Sequence, residues 1–214
     1  MGGRGASSIS KQSRSKNGLE AHSETNNRIS LNVEDYKGIK GDDIRNFFAE
    51  QDYEISALFN EKDEVIYIES QFKRDSVTDN EDGQRSALKK DGGNKFKDFH
   101  NHPTGEDTIQ IFSPADIDTY VSAISSKGIK DLKPTTFMLQ TQQGSKFTLE
   151  YTGKKTSKFA RTANFAKHYN KEFEKQASKS RNANLLSRTM IEWLKINSHK
   201  YGFEFAESSF VPFY

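Results

Sequence analysis

Apolar residues in this chain come in short bursts between long polar stretches, and their spacing changes from burst to burst. In GDDIRNFFAEQ the residues Ile44, Phe47 and Phe48 recur at helical spacing behind acids able to cap a helix, which predicts a helix over 41–51. YEISALFN, residues 53–60, reads as a strand. DEVIYIESQF, residues 63–72, alternates with period two and predicts a second strand. It sets Val65, Tyr67 and Glu69 on one face and Ile66, Ile68 and Ser70 on the other, with both isoleucines toward the core. SVTDNEDGQRSALKKDGGN, residues 76–94, is polar and glycine-bearing and reads as a long loop with at most one helical turn. FKDFH, residues 96–100, is a short strand.

The pattern then returns to a helix over 113–128. Ser113 suits the N-cap, Pro114 the first helical position and Gly128 the stop, while Ile117, Tyr120, Val121 and Ile124 form the buried stripe. TTFMLQTQQGSKFTLEYTG, residues 135–153, predicts a hairpin turning at Gln143-Gly144-Ser145, with Phe137 and Leu139 on one strand and Phe147 and Leu149 on the other. Two helical patterns follow. The first, over 158–177, carries Phe159, Thr162, Ala166, Tyr169 and Phe173. The second, over 182–202, carries Leu186, Met190, Trp193 and Ile196. The aromatic end FEFAESSFVPFY reads as an added strand or a docked tail. Residues 1–28 are rich in Gly, Ser and Asn without apolar period and are expected to form a disordered arm. The expected organisation is therefore α+β: this arm, a mixed α/β domain over 29–153, and a basic helical extension over 154–214.

Composition changes that picture in three ways. Only 33% of the 214 residues are apolar, but 16 Phe and 8 Tyr supply large buried area per residue, so a core is affordable. No run has the length of a transmembrane helix and no signal-like stretch opens the chain, so a cytoplasmic, non-membrane protein is expected. With no cysteine, any metal must be held by His, Asp or Glu. The net charge of +2 conceals an asymmetry: residues 41–126 hold 19 acids and 9 bases, residues 154–200 hold 12 bases and 3 acids. The basic part suits an acidic protein, nucleic acid or the chain's own acidic half.

The chemistry concentrates in FHNHPTGEDTIQIFSPAD, residues 99–116. A strand that ends in His-x-His places His100 and His102 on one face, because side chains alternate. Asp116, in the first turn of the next helix, is the natural third ligand, completing a two-histidine, one-carboxylate set that suits zinc and also tolerates iron or manganese. His22, His168 and His199 lie in polar or helix-end contexts and read as solvated or structural. Trp193 reads as a core anchor.

His-x-His-Pro followed ten residues later by Ser-x-x-Asp resembles the signature of the JAMM (JAB/MPN) metalloprotease family, in particular its bacterial or phage-like members. The resemblance covers about residues 42–152 and implies a cytidine-deaminase-type α/β domain with a curved mixed sheet. It implies His100, His102 and Asp116 as zinc ligands, Ser113 as the family's serine and Glu54 as its catalytic acid, with Glu64 and Glu69 as rivals. Ala57 or Ser56 stands where the family pattern has glycine. The activity implied is hydrolysis of a peptide or isopeptide bond in a protein substrate by water activated at zinc. The opening MGGRGASS resembles the starts of some phage and mobile-element proteins, which would place the chain in a host cytoplasm or a virion. Three other readings fit the residues: a JAMM-like binding or assembly protein with little activity, a metal-dependent hydrolase acting on a nucleotide or small amide, and a nucleic-acid binder working through the basic helices.

Overall fold

The computed structural model describes residues 28–74, 77, 80–92, 95–105, 107–125, 133–180 and 182–209. Residues 1–27 of the expected N-terminal arm, the Gly128 helix stop and residues 210–214 lie outside them. The first helix, α1 (Gly41–Ala49), buries Ile44 and Phe48 completely. Its acids do not cap it. Lys40 occupies the N-cap without a side-chain bond, and Asp42 and Asp43 sit inside the first turn, where negative charge meets the helix dipole favourably.

Six strands form one mixed sheet in the order β2-β1-β3-β4-β5-β6. They are β1 (Ser56–Asn60), β2 (Val65–Glu69), β3 (Lys95–His102), β4 (Lys133–Thr141), β5 (Ser145–Tyr151) and β6 (Phe203–Ser209). Only β3 and β4 are parallel, and the connection between them carries the helix α3 (Pro114–Ser125), as a parallel pair requires. The predicted hairpin is β4–β5, closed at Gly144 with φ +89°. The aromatic tail supplies β6, paired antiparallel with β5.

Side chains alternate across this sheet and build two large cores beside a smaller cluster of Leu58, Leu88 and Phe96. Ala57, Phe59 and Phe99 meet Ile44 and Phe48 of α1 on one face. On the other, Phe137, Leu139, Phe147 and Leu149 meet α3 and the two C-terminal helices, α4 (Phe165–Ala177) and α5 (Ala183–Asn197). The predicted α3 stripe is in place: Ile117, Tyr120 and Val121 are buried and Ile124 packs at the edge.

Four expectations change. Ile66 and Ile68 do not share a core: Ile68 enters the α1 side, whereas Ile66 packs with Leu58, Leu88 and Phe96. The cause is a register shift. Leu58 pairs with Tyr67 and Phe59 with Val65, so Ile66 is an extra residue and the alternation reverses across it. The polar stretch taken for a loop contains a three-turn helix, α2 (Glu81–Asp91), capped by the Asn80 side chain on Gly83 N–H and ended by left-handed Gly92. It buries only Leu88, so its apolar pattern is nearly silent. Phe159 is 97% exposed, because α4 starts only at Phe165, which is fully buried in its place. Ile196 is 59% exposed, since the buried face of α5 runs through Leu186, Ser187, Met190 and Leu194.

Arg45 ties α1 to the β1–β2 turn. Its guanidinium, 4% exposed, grips both oxygens of Asp63 at 2.9 and 2.8 Å, reaches Asp42 at 2.8 Å and lies over Phe59. Those bonds, with Lys97 adding to them, hold the Asp63 carboxyl down at about 2. A lowered carboxyl stabilises the fold above its unfolded pKa near 4, and that contribution fades as pH falls through about 2. Asp63 sits at φ +66°, which Asn also tolerates, so Asp63→Asn tests the charge without straining the turn. We expect a loss of roughly 1–2 kcal/mol at pH 7 that shrinks toward zero between about pH 4 and pH 2 in denaturant titrations. A pH-independent loss would contradict this.

Candidate metal centre

The two histidines lie in the last three residues of β3, at the carboxyl end of the parallel pair β3–β4. Both are buried, each 5% exposed. His100 stacks on Phe137 with ring centroids 5.1 Å apart. His102 Nδ1 donates to the carbonyl oxygen of Ile109 at 2.7 Å, which leaves the Nε2 lone pair of the neutral ring pointing inward.

Asp116 reaches the same point from the first turn of α3. Ser113 and Asp116 form a reciprocal cap: Asp116 N–H donates to Ser113 Oγ at 3.2 Å, and Ser113 N–H donates to Asp116 Oδ2 at 2.6 Å. The cap fixes the carboxylate so that Oδ2 lies 3.4 Å from His100 Nε2 and 3.7 Å from His102 Nε2, and the two Nε2 atoms are 3.2 Å apart. Three ligands placed roughly 2.0–2.1 Å from a zinc ion at tetrahedral angles stand about 3.3 Å from one another. The triangle therefore fits a single small ion, and His100, His102 and Asp116 form a group able to hold one.

The charge states of Asp116 and His102 suit that use in the metal-free chain, and His100 would give up its proton to an ion. Burial opposes ionisation of Asp116, but the two imidazoles and the Ser113 N–H hold its carboxyl well below the usual range. Burial, then the neighbouring His100, presses His102 down to about 4, so this ring is neutral at pH 7. His100 moves the other way: burial works against its charge, and Asp116, with Glu54 and Asp98 behind it, raises its pKa above normal.

Glu54 lies two residues before β1, in a segment held from both sides. Its N–H donates to Lys73 O at 2.8 Å and its carbonyl accepts from Ser70 Oγ at 2.6 Å. Asn101, fully buried, points to the face opposite the histidines, as strand alternation requires. There its Oδ1 accepts from Ile55 N–H at 2.7 Å and its Nδ2 donates to Tyr53 O at 3.0 Å, bracketing Glu54. Ser56 pairs with His100, and the charge of Glu54 acts on that ring. The rivals are engaged elsewhere. Glu64 sits at the far end of β1 and accepts from Asn60. Glu69 pairs with Ser56 from β2, two strand spacings (roughly 9–10 Å) from β3, and accepts from Tyr67 and Asn80.

The structure brings together His100, His102, Asp116 and Ser113, the residues the sequence pattern singled out; the side chains that fix the loop between them were not legible there. Ser187 Oγ accepts from Gln110 N–H at 2.9 Å, and Tyr169 hydroxyl donates to Phe112 O at 2.5 Å. Nothing local in the sequence announces these contacts, since their partners lie 77 and 57 residues away. Among the described residues no helix is long and apolar enough to cross a membrane. Comparison with protein-family models finds no match, and comparisons with curated proteins and with solved structures find none either.

Proposed function

We propose that the chain is a zinc-dependent peptidase or isopeptidase of the JAMM type. The observation that carries this reading is the triangle of His100 Nε2, His102 Nε2 and Asp116 Oδ2, sized for one tetrahedral ion. The mixed α+β architecture is compatible with it as well: one mixed sheet carries the His-x-His strand, and the Ser-x-x-Asp helix follows that strand.

Zinc bound by the three residues supplies Lewis acidity, which acidifies water and polarises a carbonyl. The chain's own groups do the rest. Glu54, whose charge acts on the His100 ring, would take a proton from the attacking water as its oxygen bonds to the carbonyl carbon. Ser113 already accepts a bond at Oγ from Asp116 N–H, so its own proton can be donated to the developing oxyanion. The C–N bond then breaks, and the proton held on Glu54 passes to the leaving amine. The products are a carboxylate and an amine.

The test is hydrolysis of a panel of peptide and isopeptide-linked substrates, with and without a chelator. The expected result is cleavage that chelation abolishes and added zinc restores. Tight zinc binding with no cleavage anywhere in the panel would instead make the domain a metal-stabilised binding module.

A further inference from the structure

The family resemblance ends near residue 152 and assigns nothing to the helices that follow. Those helices are joined to the metal loop by two buried hydrogen bonds. The connection from His102 to Ser113 runs through Ile109, Gln110, Ile111 and Phe112, the last two fully buried. From α5, Ser187 Oγ accepts the Gln110 N–H. The adjacent residue, Ile109, presents the carbonyl that sets the His102 tautomer. From α4, the Tyr169 hydroxyl donates to Phe112 O. The next residue is Ser113, whose reciprocal cap aims Asp116. One bond from each helix therefore stands one residue away from the group that fixes each half of the ligand set. Tyr169 is fully buried and Ser187 is 3% exposed, so water does not replace either bond.

We infer that Tyr169 and Ser187 are positioning residues for the metal centre, and that the basic C-terminal helices serve as its brace. The inference rests on the reading of His100, His102 and Asp116 as metal ligands and adds that their geometry depends on α4 and α5. Groups bonded directly to metal ligands typically contribute about 10- to 100-fold in affinity, and Tyr169 and Ser187 act one residue further back, at the lower end of that range or below it.

Tyr169→Phe removes only a hydroxyl and Ser187→Ala only an oxygen, so both should fold. The experiment measures zinc affinity of the full chain by competition with a chromophoric chelator, alongside the melting temperature of the metal-free protein. Tyr36→Phe is the control: it deletes another buried hydroxyl, bonded to Ser30 O, far from the loop. Each brace variant is expected to bind zinc several-fold more weakly, up to about 10-fold, and the cobalt(II) visible spectrum is expected to change, while Tyr36→Phe lowers the melting temperature alone. Brace variants that lose melting temperature but keep wild-type zinc affinity and cobalt spectrum would reduce both residues to ordinary core bonds and overturn the inference. If Tyr169→Phe does not fold, Ser187→Ala decides by the same readout. A wild-type chain that binds no zinc would instead overturn the ligand assignment itself, a distinct result.

Discussion

Glu54→Gln is expected to lower the rate of amide hydrolysis by about 10²–10⁴-fold while leaving zinc content unchanged. Glutamine keeps the size and most hydrogen bonds of glutamate but cannot take the proton of the attacking water. The backbone of this segment is held by Lys73, Ser70 and Asn101, so the substitution should not move it. Glu54 is no part of the ligand triangle, so the ion stays. Glu69→Gln should behave oppositely. It weakens the acceptor for Tyr67 and for the Asn80 N–H and leaves the chemical rate near wild type. Full activity in Glu54→Gln with none in Glu69→Gln would move the catalytic acid to β2.

His102→Ala should abolish stoichiometric zinc binding and, with it, all zinc-dependent stabilisation. Two of the three groups remain, and the partly buried Ile109 carbonyl loses its donor, which costs about 1 kcal/mol in the metal-free fold. The larger effect appears when zinc is present. A site filled at 1,000 times its Kd adds about 4 kcal/mol to the wild-type fold and nothing to the variant. Thermal melts with zinc and with chelator measure both quantities: wild type should show a wide gap between the two curves, His102→Ala none.

The cluster of His100, His102 and Asp116 was legible because its signals are local. Strand alternation alone puts His100 and His102 together and turns Asn101 away, and Ser-x-x-Asp is also a helix start, so Asp116 is aimed by the residue that caps. The alternating runs of β4 and β5 were readable for the same reason. What escaped notice depends on partners far away in the chain or on breaks in period. The extra residue Ile66 in β2 reverses an alternation that looks regular in sequence. Helix α2 buries a single leucine, so caps at Asn80 and Gly92 were its only signal, and they resemble those of a polar turn. Phe159 continues the apolar spacing of α4 by coincidence, and the helix begins six residues later, at Phe165. Arg45 and Asp63, 18 residues apart, meet only because α1 crosses the β1–β2 turn. Gly41 marks that crossing: a Cβ there would overlap the Asp63 carboxylate.

The central claim is that His100, His102 and Asp116 hold one catalytic metal ion. Elemental analysis of protein purified without added metal tests it most directly, run on wild type and on Asp116→Asn. Asparagine can still accept the Ser113 N–H, so the helix start survives while the ligand's charge is lost. The account predicts about one zinc per wild-type chain and little in Asp116→Asn. A wild-type chain that carries no transition metal and takes up none tightly in titration, or an Asp116→Asn chain that keeps a full complement, would contradict it.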